Sequence, residues 1–157
     1  MVGPGAVSPL FSSLRGSPDE LLNMKMPGFE MAVPFSDAEI EAVERVLGHV
    51  LPDDYRRFVK THGGAFIGGR VDGDGSRSVL AFFESGEERG LLAKLRTHPD
   101  LRADGVLPIA DCELGNLYVL DGSGAVHYID YYGRSVKATK LSDSFAGFLS
   151  KIIIENE

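Results

Sequence analysis

Cysteine occurs once in this chain of 157 residues, and tryptophan does not occur at all. The single thiol, that of Cys112, cannot form a disulfide within the chain, and the repeated Cys-x-x-Cys pairs of many structural zinc sites are missing. Apolar runs are short, such as residues 106–110 and 152–154, whereas a helix that crosses a bilayer needs about 20 apolar residues. The sequence therefore predicts no internal disulfide, no zinc site of this kind and no membrane association.

Positive charge is scarce. The chain has 16 lysine and arginine residues against 23 aspartate and glutamate residues, which gives a formal net charge of −7. Proteins that coat nucleic acid need clustered basic residues to neutralise phosphates, so we expect no direct contact with nucleic acid. A partner that is attracted by charge should instead be basic.

The N-terminal region lacks the features of a secretory signal. Residues 1–5 contain no basic segment and no long apolar segment follows them, so we expect a cytoplasmic protein. Residues 1–35 are predicted to form an N-terminal arm, since their first half is rich in Gly, Pro and Ser, and Ser17 to Glu20 are compatible with the start of a short helix. Residues 36–157 are predicted to form one domain, because 43% of the chain is apolar and only 25% is charged.

Hydrophobic spacing and turn residues predict an α+β fold. Helices are expected to begin at the capping box Ser36–Glu39, at Pro52 and at Ser142. A further helix is expected over residues 87–97. The predicted strands are residues 65–71, 78–83, 106–110, 116–121, 125–131 and 135–140. The turns between consecutive strands are too short for parallel crossovers. The order ααββαββββα therefore indicates a mainly antiparallel sheet of about six strands with helices packed on it.

The apolar positions of these elements define the expected core. In the last helix, the side chains with helical spacing are Phe145, Phe148, Leu149 and Ile152. The side chains that we expect to be buried are Tyr55, Phe58, Ile109, Tyr118, Phe145 and Phe148.

Two stretches resemble cofactor-binding loops but are incomplete. Gly64 to Arg70 has the glycine spacing of a phosphate-binding loop, but Arg70 stands where Lys is required. Asp72 to Ser76 resembles the start of a calcium loop, but the later glycine and glutamate of that motif are missing. We therefore predict no bound metal and no cofactor, and we interpret the two stretches as a closely packed strand and a hairpin turn.

Nucleophilic side chains also have simple structural interpretations. Cys112 and His127 lie in no recognised catalytic signature, and a lone cysteine beside a strand is usually a small buried hydrophobe. No serine stands in a Gly-x-Ser-x-Gly motif. We therefore predict no catalytic residue and no enzymatic activity.

Several short motifs follow one another in a characteristic order. The helical region carries Leu-Pro-x-x-Tyr-x-x-Phe at residues 51–58, followed by Gly63-Gly64. The strand region carries Pro-Ile-Ala at residues 108–110, Gly-Asn at 115–116 and Val-His-Tyr-Ile-Asp at 126–130, and Ser-Phe-x-x-Phe-Leu follows at 144–149. In this order the motifs resemble those of the SUKH superfamily, which includes the SMI/KNR-type cell-wall regulators of yeast.

The resemblance implies a function in binding. Bacterial members of the superfamily are immunity proteins that bind and neutralise polymorphic toxins, many of them nucleases, whereas eukaryotic members regulate cell-wall synthesis and signalling. The resemblance therefore implies an immunity protein that occludes a cognate toxin, and the acidic balance fits a basic nuclease toxin. A regulatory protein-interaction module is the alternative, and a small enzyme with a site assembled from distant residues is the third hypothesis.

Exposed loops and sheet edges are where such a protein should carry its specificity, because loops tolerate variation that the core does not. Acidic side chains in these positions suit a basic toxin, and an aromatic edge near residue 131 is the next candidate. The residues that we predict to contact the partner are Asp72, Asp74, Glu84, Glu87, Glu88, Asp111, Glu113, Tyr131 and Tyr132.

Overall fold

A computed structural model describes residues 32–71, 78–86, 88 and 90–154. These residues form an α+β fold, with an antiparallel sheet and helices packed on it, as the sequence predicts. The helices are α1 (Asp37–Leu47), α2 (Asp53–Thr61), α3 (Leu91–Thr97), α4 (Pro99–Ala103) and α5 (Phe145–Leu149). The strands are β1 (Ala65–Val71), β2 (Ser78–Phe82), β3 (Leu107–Asp111), β4 (Leu117–Leu120), β5 (Val126–Asp130), β6 (Lys137–Ser142) and β7 (Ile152–Ile154).

The first two helices begin where their local sequence predicts. The Ser36 hydroxyl accepts a hydrogen bond from the Glu39 N–H, and the Glu39 carboxylate accepts one from the Ser36 N–H, which completes the capping box of α1. Helix α2 follows Pro52 and buries one apolar stripe. The carboxylate of Glu44 joins the two helices, since it accepts hydrogen bonds from the Leu51 N–H at 2.8 Å and from the Arg56 guanidinium at 2.5 Å.

The strands lie in the order β6-β5-β4-β3-β2-β1-β7. Helices α2 and α5 cover an aromatic core that sits on one face of this sheet. The Phe145 ring meets the rings of Phe58 and Tyr55 with centroids 4.9 Å apart in both cases, and the Phe82 ring of β2 lies 5.3 Å from Phe58. All six side chains predicted to form the core are buried.

Gly63 and Gly64 lie where the backbone of Val33 and the backbone of Glu84 come close to theirs. Gly63 has a φ of +72°, and a Cβ there would lie 1.8 Å from the Val33 carbonyl oxygen. A Cβ on Gly64 would lie 2.4 Å from the Glu84 nitrogen. Both positions are therefore restricted to glycine by packing, which agrees with the interpretation of this stretch as a closely packed strand start.

Two helix predictions in the middle of the chain need correction. Helix α3 begins at Leu91 and not at Glu87. Gly90 precedes it with an extended backbone, and a Cβ there would lie 2.3 Å from the backbone of both Glu84 and Gly86. Pro99 ends α3 as predicted, but it also occupies the first turn of α4, a short helix that was not predicted.

The end of the chain also differs from the prediction. Helix α5 ends at Leu149, and Ile152 belongs to β7, which pairs with β1 through Val71 and Ile152. Three consecutive β-branched isoleucines favour a strand, although their spacing from Phe145 also suits a helix. The sheet therefore has seven described strands where about six were expected.

Candidate functional site

Two loops lie side by side at one end of the sheet. Strand β4 pairs with both β3 and β5 in antiparallel orientation, so the β3–β4 loop (residues 112–116) and the β5–β6 loop (residues 131–136) leave the sheet at the same end. A buried side chain, that of Asn116, connects the two loops and is only 2% exposed. This end of the sheet is the candidate partner-binding region.

Asn116 makes three side-chain contacts with the β5 region. Its amide nitrogen donates to the Tyr128 hydroxyl at 2.9 Å and contacts Asp130 Oδ1 at 3.4 Å, and its Oδ1 accepts from the Tyr131 N–H at 2.9 Å. The Cys112 N–H donates to the Asn116 carbonyl at 3.0 Å and closes the β3–β4 loop. Since these groups are mostly buried, the network fixes the relative position of the two loops.

The thiol of Cys112 belongs to the same network. It is 3% exposed, and its Sγ lies 3.5 Å from the Tyr128 hydroxyl. Burial and the thiol together raise the pKa of the Tyr128 hydroxyl, so the phenol stays protonated. Cys112 is therefore a buried packing residue, as expected, and its polar neighbour is Tyr128.

An exposed surface lies over this network, and we call it the Tyr132 surface. Tyr132 is 72% exposed, and its N–H donates to Asp130 Oδ1 at 2.9 Å. The other members of the surface are Glu113, Leu114 and Val136, all of which are exposed. Tyr131 is half-buried beside it, with its ring 5.9 Å from the ring of His98. Exposed aromatic and apolar groups on a rigid backbone are well suited to contact another protein.

The acidic residues that we predicted for partner contact do not form one cluster. The Glu113 N–H donates to the Ser78 hydroxyl at the start of β2, whereas Glu84 and Glu88 follow the end of that strand. Glu84 and Glu88 are exposed, but they lie at the opposite end of the sheet from the Tyr132 surface. Asp72, Asp74 and Glu87 fall outside the described residues.

Asp111 occupies a different environment from the other acidic candidates. It ends strand β3 and is half-buried. Burial raises the pKa of its carboxyl group, and the positive charge of Lys94 partly opposes that shift. Within the described part of the chain, its Oδ1 has no hydrogen-bond partner. The Asp111 carboxyl group is therefore half-buried at the end of β3, whereas Glu113 is exposed.

A second polar cluster occupies the β4–β5 turn, at the other end of β4. Asp121 accepts hydrogen bonds from the Ser123 hydroxyl at 2.6 Å, from His127 Nε2 at 2.7 Å and from the Ala125 N–H at 3.0 Å. Burial raises the pKa of the Asp121 carboxyl, but the hydrogen bonds outweigh it and hold the pKa well below its usual range.

The geometry of this cluster does not suit nucleophilic catalysis. In a serine triad the histidine accepts the serine proton, whereas here Ser123 and His127 both contact the same carboxylate of Asp121. The arrangement stabilises a tight turn between two strands. This cluster was not predicted, because residue spacing alone does not bring the three side chains together.

His49 is held between two backbone carbonyl groups. Its Nε2 lies 2.7 Å from the Gly105 oxygen and its Nδ1 lies 3.0 Å from the Val50 oxygen. Carbonyl oxygens only accept hydrogen bonds, so the protonated ring, which has two donors, fits this place best. These two contacts raise the pKa of His49, and the nearby charge of Glu44 adds to the effect.

Among the described residues, no group of three or more His, Cys, Asp or Glu side chains could hold a metal ion. In the same part of the chain, no helix has the length and apolarity that a bilayer span requires.

The model of the SMI1 / KNR4 family (SUKH-1) matches residues 34–151. This range contains the described helices and most of the sheet, and it includes Asn116 and the Tyr132 surface. A search among curated proteins finds no match.

Proposed function

Because the chain belongs to the SMI1 / KNR4 family (SUKH-1), we propose that it is an immunity protein that binds a cognate bacterial toxin and neutralises it by occlusion. The family includes toxin immunity proteins and SMI1/KNR4-type regulators, and both act through protein contacts. The match over residues 34–151 is the observation that carries the proposal.

The charge of the chain supports a basic toxin, such as a nuclease. A nuclease presents a positive surface to the phosphates of its substrate, and an inhibitor with a net charge of −7 is attracted to that surface. An inhibitor that covers this surface excludes the nucleic acid without any chemical step. We therefore propose a binding function without catalysis, metal or cofactor, carried out in the cytoplasm of the producing cell.

The Tyr132 surface supports a defined contact region. Tyr132 supplies an exposed aromatic side chain on a loop whose backbone is already fixed by Asp130 and by the Asn116 network. Little conformational entropy is then lost when a partner binds. We propose that Glu113, Tyr131 and Tyr132 contact the toxin, while the acidic residues near Glu84 form a second contact region. We propose that residues 36–157 act as the binding domain; Ala32 and Phe35, at the end of the proposed N-terminal arm of residues 1–35, are buried in its core.

The proposal is tested by co-expression with the candidate toxin that is encoded beside the gene for this chain. The chain should restore growth of cells that produce the toxin and should co-purify with it. A toxin encoded beside an unrelated immunity gene serves as the specificity control. Failure to restore growth, with both proteins present in soluble form, would contradict the proposal.

The location of the contact can be tested with two matched sets of substitutions. Glu113→Lys with Tyr132→Ala changes the Tyr132 surface, and Glu84→Lys makes the same change of charge at the other end of the sheet. We expect the first set to raise the Kd for the toxin more than Glu84→Lys does, because only the first also removes an aromatic contact. An equal Kd for the first set and the unchanged chain would remove the Tyr132 surface from the interface.

A regulatory protein-interaction module is the second candidate, because the matching family is named after SMI1 and KNR4. It predicts a stable complex with an endogenous partner of the source cell and no effect on a co-expressed toxin.

A further inference from the structure

The two outer strands of the sheet differ in length and in exposure. Strand β7 has three residues, and its Ile152 and Ile153 side chains are buried. Strand β6 has six residues, all of them exposed or half-buried, and among the described residues it pairs only with β5. In an outer strand, alternate backbone N–H and C=O groups point away from the sheet. Strand β6 therefore offers the longer backbone edge for pairing with another chain.

Positive charge is concentrated at this edge, although the chain as a whole is acidic. Strand β6 and the loop before it, residues 131–142, contain three basic residues (Arg134, Lys137 and Lys140) and no acidic residue, in a chain of net charge −7. Lys140 contacts the carboxylate of Asp143 at 2.5 Å, and both side chains are more than half exposed. Lys137 lies directly across from Asp130 of β5, and within the described residues it forms no ion pair. The edge is therefore a basic region that differs from the rest of the surface.

The open part of the edge is limited to residues 137–140. At Leu141 the β5–β6 register shifts, and the Lys151 ammonium group donates a hydrogen bond to the Leu141 carbonyl oxygen. Beyond that point the strand is irregular and partly covered. Lys137 and Lys140 are three residues apart, so their side chains point to opposite faces of the sheet. A strand that pairs with residues 137–140 would meet one positive charge on each face.

Lysines on an outer strand also discourage unwanted pairing. Here they repel a second copy of the same edge and any basic strand, because like charges would face each other. No described strand covers the outer backbone groups of residues 137–140. An acidic strand experiences the opposite effect, since its carboxylates would pair with Lys137 and Lys140. The lysines thus make the edge selective for the charge of the incoming strand.

We propose that residues 137–140 bind an extended acidic segment of a partner protein, which adds to the sheet as a further strand next to β6. Backbone hydrogen bonds supply the contact, and two carboxylates that are three residues apart provide the selectivity. This interaction goes beyond the proposed toxin binding and does not depend on it, because it uses the basic edge and not the acidic surfaces.

The test uses a synthetic peptide of eight residues, composed of Val and Thr with two Glu residues three positions apart. It is titrated into the full ¹⁵N-labelled chain at low salt and followed by two-dimensional NMR. We expect shift changes confined to residues 137–140 and their β5 neighbours, with slower amide exchange in β6. The same peptide with Lys in place of Glu should cause no such changes.

Substitutions separate this binding from general charge attraction. The double variant K137S/K140S should weaken peptide association roughly three- to tenfold, as expected for the loss of two exposed ion pairs. The control R45S/K60S removes the same charge from helices α1 and α2 and should leave association unchanged. The proposal would be overturned by shift changes located elsewhere, by equal binding of the Lys peptide, by no shift change at millimolar peptide, or by dimer formation through β6.

Discussion

The side-chain amide of Asn116 donates a hydrogen bond to the hydroxyl oxygen of Tyr128 at 2.9 Å and joins two loops at one end of the sheet. The same side chain accepts a hydrogen bond from the Tyr131 N–H, so the residue before Tyr132 is fixed as well. A buried amide of only 2% exposure therefore determines the backbone position of the exposed Tyr132 surface.

Removal of the Asn116 side chain should destabilise the domain and loosen this surface. Asn116→Ala leaves the Tyr128 hydroxyl and the Tyr131 N–H without their partner, and we expect a loss of about 2 kcal/mol or more in the free energy of unfolding. Amide exchange at residues 131 and 132 should become faster. Urea unfolding and hydrogen exchange measure the two effects, and Val50→Ala, at an exposed position, is the control. Unchanged exchange at residue 131 would contradict this role of Asn116.

The β4–β5 turn should depend on the charge of Asp121. Its folded-state pKa lies below the ordinary value of 3.8, so its contribution to stability is complete above that pH and is lost as the pH falls through the lower folded-state pKa. Asp121→Asn should reduce the free energy of unfolding by about 1 to 2 kcal/mol near neutral pH. The difference in unfolding free energy between Asp121→Asn and the unchanged chain should shrink as the pH falls from about 4 to about 2.

The control for this measurement is Asp53→Asn, because the Asp53 side chain is 82% exposed and pairs with Arg57 on the surface of α2. Its effect on unfolding should be small at each pH. If the unfolding free energies of Asp121→Asn and the unchanged chain still differ at the lowest pH, the charge of the Asp121 carboxylate is not the source of the stabilisation.

His49 should make the opposite contribution to pH dependence. The carbonyl oxygens of Gly105 and Val50 raise its pKa above the ordinary 6.5, so the folded state binds the proton more tightly than the unfolded chain does. The stabilisation is complete below pH 6.5 and is lost as the pH rises through the folded-state pKa. The difference in unfolding free energy between the unchanged chain and His49→Gln should therefore be larger at about pH 5.5 than at about pH 8.5. A difference that is constant across this range would contradict a protonated His49 ring that donates one hydrogen bond to each of the two carbonyl oxygens.

The aromatic core should be sensitive to the loss of a single ring. Phe148 is fully buried and packs near Tyr118 and Phe145, so Phe148→Ala should cost about 3 to 5 kcal/mol. Phe66→Ala is the matched control, because Phe66 is 78% exposed, and its effect should stay within about 0.5 kcal/mol. Similar thermal midpoints for the two variants would show that Phe148 does not fill the core.

Helices whose start depends on neighbouring residues in the sequence were predicted correctly. The capping box at Ser36 and the apolar stripe at Phe58 depend on residues within one or two turns, and both helices begin at or next to the predicted residue. The predicted start of α3 was wrong because the backbone of Glu84 and Gly86 packs against Gly90, and the sequence does not show this contact. Strand β7 was missed because the isoleucine spacing is compatible with both a helix and a strand.

The candidate site could be predicted only in part. Tyr131 and Tyr132 were identified from their position after a strand, and Glu113 from its place in a loop. The role of Asn116 depends on the β4–β5 register, which brings it to Tyr128 and Tyr131, and register is not visible in one sequence. The Gly115-Asn116 pair in the family motif was the available signal, and it gave no indication of the hydrogen-bond partners.

Direct titration of the purified cognate toxin with the purified chain tests the central claim. Calorimetry should show a complex of one chain with one toxin and a Kd in the nanomolar range or below, as is typical of protein inhibitors. Toxin activity should fall in proportion to the fraction bound. The absence of a complex at micromolar concentrations, or a complex in which the toxin keeps its full activity, would contradict the account.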